Sequence, residues 1–533
     1  MRERSGKAGA KTRWPIFSRL WVGLSLLGLF FPTVSVATAA EGQTSAEEPR
    51  RFELVIRRGR VIDPETGLDG IRDVGIEAGR ILAISEKALQ GDVELDATSL
   101  VVAPGFIDLH SHSPTPLGQS YQATDGVTTA LELEAGAYPL AAFGRLVRER
   151  PLINYGASAG YASIRADVKL GIRRPDLLID ESRPVGLLGW WTVARSIFVE
   201  PMALFTEAPS DDQRMQFQQT LRTALDDGGI GIGLALDYMS EAVDEREVRA
   251  VFAVAGERQV PVFIHLRRGV NGDPSGLREA LSAAREANAP LHICHIPNNA
   301  MGNIELFLKE IRSARAQGLD VTTELLPYNA GAAPISAAVF GRDWRTIYNI
   351  DYEDVEWAAS GERFNQAMFA EYRENHPDGF IVHHYIDEAW TRRALVEPGV
   401  IVVSDLLPMK DEAINVAPHN GAFAKVLGRY VRDTPLLDLS TAIAKMTLLP
   451  ARRLESVAPI FRRKGRIQVG ADADVTVFDP ATVIDRATYA DAYQPSSGIV
   501  HVLVNGVPVV RGGVLQSDVF PGRLLTGPKG TPR

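Results

Sequence analysis

The stretch Val102-Ala103-Pro104-Gly105-Phe106-Ile107-Asp108-Leu109-His110-Ser111-His112 is an apolar run that ends in a His-X-His pair. Side chains alternate along a strand, so His110 and His112 point to one side of it. Seven more runs of this kind follow: Val127 to Glu134, Ile153 to Ala159, Ile230 to Leu236, Val262 to Leu266, Leu291 to His295, Val321 to Leu326 and Val400 to Asp405. Most are apolar over four or more residues, as strands covered on both faces must be. Helix-like stretches separate them. Met215, Phe217, Leu221, Ala224 and Leu225, for example, form a stripe that closes at Gly228-Gly229. Eight strand-helix units over residues 105–454 predict an α/β chain built on a (β/α)8 TIM-like barrel, whose active site lies where the strands end.

The strand ends are where the chemistry collects. The first run ends in His110 and His112, the second in Glu132 and Glu134, the fifth in His265, the sixth in His295 and the eighth in Asp405. A lone His-X-His says little, but imidazoles and carboxylates finishing five strands of one barrel suit Zn²⁺ or a similar divalent ion. Glu132 and Glu134 share one parity, so the carboxylate ligand is one or the other. Parity places His292 and Cys294 opposite His295, so both are expected to pack rather than ligate. Lys169 lies away from any strand end and is not expected to bridge metals.

Short alternating segments at both ends, Phe52 to Arg57, Asp73 to Ile76, Arg80 to Ile84, Asp474 to Phe478 and Ile499 to Val504, predict one small sheet domain formed by residues 41–104 and 455–533. Asn505-Gly506 is a hairpin signal. Residues 331–399 make an insertion too long for an ordinary loop, with Trp344, Tyr348, Tyr352, Trp357, Phe364, Tyr372 and Trp390. It reads as a helical subdomain with its own aromatic core. Trp190-Trp191 read as packing or as a pocket lining, and His383-His384 lie in the insertion.

The 533 residues are ordinary globular in composition, with 45% hydrophobic and 23% charged residues and a net charge of −9. Such a balance disfavours nucleic acid and anionic membrane surfaces as partners. Residues 1–40 carry Arg2, Arg4, Lys7, Lys11, Arg13 and Arg19, then an apolar run from Leu20 to Phe31 and Ala37-Thr38-Ala39, the pattern of a cleaved export signal. That run is short of the ~20 residues that span a bilayer, so no stable membrane insertion is expected and the mature protein is expected in the periplasm or outside the cell. The single cysteine, Cys294, excludes an internal disulfide.

The chain resembles the amidohydrolase superfamily, within it the D-aminoacylase or N-acyl-D-amino-acid deacylase family, and there the D-glutamate deacylase branch. The first stretch quoted carries the resemblance, with Asp125-Gly126-Val127-Thr128-Thr129, Glu132-Leu133-Glu134-Ala135-Gly136, Leu291-His292-Ile293-Cys294-His295 and Phe478-Asp479-Pro480-Ala481-Thr482-Val483-Ile484-Asp485. It implies a barrel with a small β-sandwich from both termini (41–104 and 455–533), the 331–399 insertion as a lid over the barrel mouth, and hydrolysis of an N-acyl amino acid at one or two divalent ions. His265 and His295 then match the tighter metal site, His110 and His112 the weaker one, and Asp405 the catalytic aspartate, which as a carboxylate also suits metal ligation. Where the family has a cysteine ligand after strand two, Glu134 is the nearest competent side chain. Two cations expected for the substrate carboxylate are replaced by Pro297 and His419. Tyr328 and His419 remain candidate substrate contacts, and Arg267 either compensates or pairs with an acidic neighbour. The alternatives are a dipeptidase or cyclic amidase of the hydantoinase or dihydroorotase kind, and a barrel that binds without catalysing.

Overall fold

A computed structural model describes residues 50–173, 207–377, 379–412 and 417–528. The proposed export signal and Trp190-Trp191 lie outside the described residues. All eight expected strands form, as Phe106–Asp108, Val127–Ala137, Asn154–Gly160, Ile232–Ala235, Val262–His265, Leu291–Ile293, Val321–Leu325 and Val400–Val402. They pair in chain order, and every pairing is parallel. The sheet closes where Asp405 N donates to His110 O (2.9 Å) and His112 N to Leu406 O (2.8 Å). Ser404 reinforces the seam, its backbone N–H donating to Asp108 at 3.1 Å. Val, Ile and Leu fill the strands and are almost wholly buried, which follows from a sheet covered by helices outside and packed side chains inside.

Several strands stop earlier than the apolar runs predict. The first ends at Asp108, the sixth at Ile293 and the eighth at Val402, so His110, His112, His295 and Asp405 lie on loop residues just beyond. Two of these have left-handed backbone, His295 at φ 30° and Asp405 at φ 53°. Backbone of this kind costs on the order of 1–3 kcal/mol for a residue with a Cβ and collects at functional sites.

The helix read from Met215 to Leu225 spans Asp211–Asp226, started by a capping box of Ser210 and Gln213. Phe217, Leu221, Ala224 and Leu225 are its buried face, whereas Met215, counted in the stripe, is exposed. The two chain ends do build one sheet. Val101–Pro104 pairs with Arg51–Asp63 on one side and with Val475–Phe478 on the other, in a nine-stranded sheet with its own apolar core. Asn505 and Gly506 both have positive φ (49° and 84°), as the turn between Ile499–Val504 and Val507–Arg511 requires.

The insertion mixes helix and sheet. Gly331–Pro334, Phe380–His383 and Val355–Trp357 form a three-stranded antiparallel sheet beside the helices Trp344–Tyr348, Gln366–Asn375 and Glu388–Val396. Trp344, Tyr348, Tyr352, Trp357, Phe364, Tyr372 and Trp390 pack into one cluster with Phe340, Phe369 and Ile381. His383 is buried there, stacked on Tyr385 with ring centroids 5.1 Å apart. Burial, with Arg268 nearby, holds its pKa well below the ordinary imidazole value, so it packs as a neutral ring.

Candidate active site

Six of the predicted residues converge at the strand ends. Nε2 of His110 and of His112 lie 3.1 Å apart. Each faces the same two carboxylate oxygens, Glu134 Oε2 at 3.3 and 3.5 Å and Asp405 Oδ1 at 3.3 and 3.4 Å. These five separations lie close to the edge of about 3.3 Å that a tetrahedral zinc site with ligands at 2.0–2.1 Å requires, so the His110–His112 pair with either carboxylate oxygen presents donors at the spacing of such an ion.

Glu134 serves a second pair with its other oxygen. Oε1 accepts from His265 Nδ1 at 2.8 Å and His295 Nε2 at 2.9 Å. One carboxylate thus bridges two histidine pairs, the place where a bridging lysine was sought in the sequence and not found. Lys169 lies at the end of the helix Tyr161–Leu170 and donates to Glu207 O. Between the two glutamates the geometry is decisive: Glu132 accepts from His112 Nδ1 at 2.7 Å, on the ring edge turned away from the cluster.

Glu132 is therefore a positioning group, and similar groups stand behind two other imidazoles. Glu324, which the sequence reading passed over, accepts from His110 Nδ1 at 2.6 Å and from His292 Nε2 at 2.8 Å. Asn299 donates to His295 Nδ1 at 3.1 Å. Fixing the far ring nitrogen sets which nitrogen offers its lone pair to a metal. The expectation that His292 faces away from His295 fails because the strand stops at Ile293 and His295 turns into left-handed backbone. His292 sits inside the barrel, holding Glu324 instead of ligating. Cys294 is also closer to the site than parity implied, with His110 and Glu324 within ligand distance of it. Burial pushes its thiol pKa well up, so it stands there as a neutral thiol.

The electrostatics ask for a cation. Burial depresses the His110 pKa, yet Asp405, Glu134 and Glu324 overcome it and hold the pKa well above the ordinary value. His112 is likewise raised against burial, chiefly by Glu132 and Asp405. Burial acts to raise the Glu134 carboxyl, but His110 and His265 hold it well below the carboxylate range. Carboxylates that raise the pKa of two buried imidazoles are the setting in which a divalent ion competes with protons for the same nitrogens.

Tyr328 and His419 lie together beside this cluster. Their rings stack at 5.2 Å, and His419 Nδ1 donates to Asp405 O at 2.7 Å. His419 Nε2 and the Tyr328 hydroxyl are both buried without a protein partner, as expected of groups that await a ligand. Arg267 is a correction. Its guanidinium is held by Glu279 (3.0 Å) and Val243 O (2.8 Å) on the outer side of the strand, so it pairs with the acidic neighbour. The chain leaves extended geometry after His265, and it is Arg268 that turns inward, its NH2 3.3 Å from His265 Nε2.

A parallel barrel with a bridged histidine-carboxylate centre at its strand ends defines a hydrolase of the amidohydrolase class. Comparison with known proteins agrees. A family model described as amidohydrolase family matches residues 381–510. The N-acyl-D-glutamate deacylase of Alcaligenes xylosoxydans xylosoxydans is 32% identical over 521 residues, covering 89% of this chain and 96% of that protein. D-aminoacylase of the same organism is 28% identical, with 90% and 98% covered. Among solved structures, N-acyl-D-glutamate deacylase from Bordetella bronchiseptica, complexed with zinc and a phosphonate mimic of the tetrahedral intermediate, superposes with a TM-score of 0.71. It is 26% identical, with 90% of this chain and 100% of that one covered. The chain belongs to the D-aminoacylase family of amidohydrolases, metal-dependent enzymes acting on carbon-nitrogen bonds other than peptide bonds.

Proposed function

We propose that this protein hydrolyses N-acyl amino acids, in the first instance the D series, to the free amino acid and the carboxylic acid. The observation that carries this reading is the Glu134 carboxylate shared between His110–His112 and His265–His295, with Asp405 beside it. His110, His112, Glu134, His265 and His295 would hold one or two divalent ions, zinc before others for these ligands. What such an ion supplies is Lewis acidity toward the acyl carbonyl and a more acidic water.

The remaining work falls to Asp405. His110 and His112 keep its carboxyl below the ordinary range despite burial, so at neutral pH it is ionised and able to accept a proton. Its side chain is 18% exposed, against 1–7% for the histidines of the cluster whose exposure is compared with it here, His110, His112 and His265, so substrate and water reach it. Asp405 takes a proton from the attacking water as the carbon-oxygen bond forms. It then gives that proton to the nitrogen as the carbon-nitrogen bond breaks, sparing the departure of an amide anion. His419, tied to the Asp405 carbonyl, and Tyr328 stacked on it offer Nε2 and a hydroxyl to the substrate. The names of the relatives support the N-acyl-D-amino acid class.

The test is turnover of paired N-acyl-D and N-acyl-L amino acids before and after chelation. Chelator-sensitive hydrolysis of one enantiomeric series is expected. Turnover of hydantoins or dipeptides alone would replace the reading. We further propose export with removal of residues 1–40, on the strength of the basic and apolar N-terminal sequence. N-terminal sequencing of the protein from fractionated cells tests it. No helix among the described residues is long and apolar enough to cross a membrane.

A further inference from the structure

We infer that Ser158 is a positioning residue of the metal centre: its hydroxyl holds the bulge of the second strand that puts Glu134 between the two histidine pairs. This deepens the deacylase reading and rests on its metal centre. The second strand, Val127–Ala137, runs in regular register with the third, Asn154–Gly160, from Thr129 opposite Asn154 to Glu132 opposite Ala157. In unbroken register Glu134 would face Ala159, but Ala137 does so instead. Leu133, Glu134, Ala135 and Gly136 therefore stand against Ser158 alone. Extra residues on one strand break the ladder locally and bend that strand, which is how a bulge re-aims a side chain.

The surroundings are fitted to this bulge. Ser158 is wholly buried, and its hydroxyl donates to the Leu133 carbonyl at 2.7 Å, which fixes the peptide unit leading into Glu134. Ala135 N donates to Glu132 Oε1 at 3.2 Å. Gly136 has φ 64°, left-handed backbone that suits glycine and lets the chain turn back into the sheet. On the other side the fourth strand passes so close that a Cβ at Gly233 would lie 2.5 Å from the Glu134 carbonyl oxygen and 2.7 Å from that of Leu133. The Glu134 backbone is thus held between the Ser158 hydroxyl and the backbone of Gly233.

A bridge needs its carboxylate at a fixed depth in the barrel. Glu134 Oε1 lies 2.8 and 2.9 Å from His265 Nδ1 and His295 Nε2, while Oε2 lies 3.3 and 3.5 Å from Nε2 of His110 and His112. A shift of the bulge toward one pair lengthens the contacts to the other, so a loosened bulge weakens both. Ser158 bonds to backbone and to no ligand atom. Losing its hydroxyl therefore frees Glu134 to move while every donor atom of the cluster remains.

The test is zinc titration of the metal-free protein against a competing chelator, for the wild type, Ser158→Ala, Ser158→Cys and Thr476→Val, with circular dichroism and urea unfolding of each. Thr476 makes the same kind of bond, hydroxyl to carbonyl, to Gly126 at the other end of the second strand (2.6 Å), so Thr476→Val removes such a bond without touching the bulge. Ser158→Ala is expected to weaken zinc about tenfold or more at every site the wild type fills, whereas Thr476→Val should change it less than about threefold for a comparable loss of stability. Ser158→Cys keeps a weaker donor and should fall between wild type and alanine, by more than about threefold; it carries the test if the alanine variant does not fold. Zinc affinity within about threefold of wild type in the Ser158 variants that fold, a loss confined to one of two ions, or an equal loss in Thr476→Val would overturn the inference. Turnover judges the deacylase reading separately: a wild type that binds zinc but hydrolyses no N-acyl amino acid removes that reading, and the titration still decides the role of Ser158.

Discussion

Glu324→Gln is the substitution whose consequence the structure specifies most closely. Glu324 is 1% exposed, and its two oxygens accept N–H bonds from His110 and His292 at 2.6 and 2.8 Å. Glutamine keeps the volume but offers one acceptor and one donor, so one imidazole must change tautomer. If His292 changes, it shifts its proton to Nδ1 and donates to the Thr322 hydroxyl, 2.7 Å away, and His110 is then held by a neutral carbonyl. If His110 changes, the proton moves to Nε2 and the lone pair aimed at Glu134 and Asp405 is lost. Groups that orient metal-binding histidines are worth about 10–100-fold in affinity, which is about 1.4–2.8 kcal/mol. The loss should fall on the His110–His112 side alone, because Glu324 contacts neither His265 nor His295. Zinc titration of the metal-free protein against a competing chelator resolves this, with circular dichroism to show that the variant is folded. Unchanged affinity for both ions, or an equal loss at both, would refute the reasoning.

Asp405→Asn should lower kcat by about 10²–10⁴-fold while zinc measured by mass spectrometry stays near wild type, since four histidines and Glu134 remain; retained turnover would remove the proton-transfer role. Arg267→Ala should leave KM for every substrate within a factor of two and cost stability instead, because its bonds run to Glu279 and to the backbone carbonyls of Ser240 and Val243 in the loop after the fourth strand. Glu65 ties the N-terminal strands to Arg466 and Arg452, and the Arg466 guanidinium holds its carboxyl down at about 2. A depressed acid contributes stability above its unfolded pKa near 4.5 and loses it as pH falls toward 2. The unscreened limit is about 3 kcal/mol, and partial exposure reduces this to about 1 kcal/mol. Glu65→Gln should therefore lower the urea midpoint at pH 7, and the difference from wild type should shrink between pH 4.5 and 3; a constant difference would contradict the assignment.

The barrel was legible because its strands are buried on both faces and so read as apolar runs. All eight form within a few residues of the expected places, and the metal-competent residues at their ends converge. What the sequence concealed is where strands stop. Parity arguments hold only while backbone stays extended, and they fail just after His265 and Ile293. Hence parity points Arg267 inward where the structure turns Arg268 inward instead, and it sets His292 and Cys294 farther from the centre than they lie. Glu324 carried a usable signal, a carboxylate inside a run otherwise destined for the barrel interior, where a lone charge must have a partner. The choice between Glu132 and Glu134 was beyond parity, since both face inward, and it took three-dimensional distances to separate the bridging group from the orienting one. The insertion's aromatic content announced a core of its own, but its strands are too short and interrupted for alternation to reveal them.

The central claim is that the Glu134-centred cluster is the metal centre of an amide hydrolase. Anomalous diffraction at the zinc edge, on crystals of protein that hydrolyses N-acyl amino acids, tests it most directly. The account predicts a peak within ligand distance of Glu134, between the His265–His295 pair or among His110, His112 and Asp405, and its disappearance with activity after chelation. An active protein with no peak against Glu134 would contradict it.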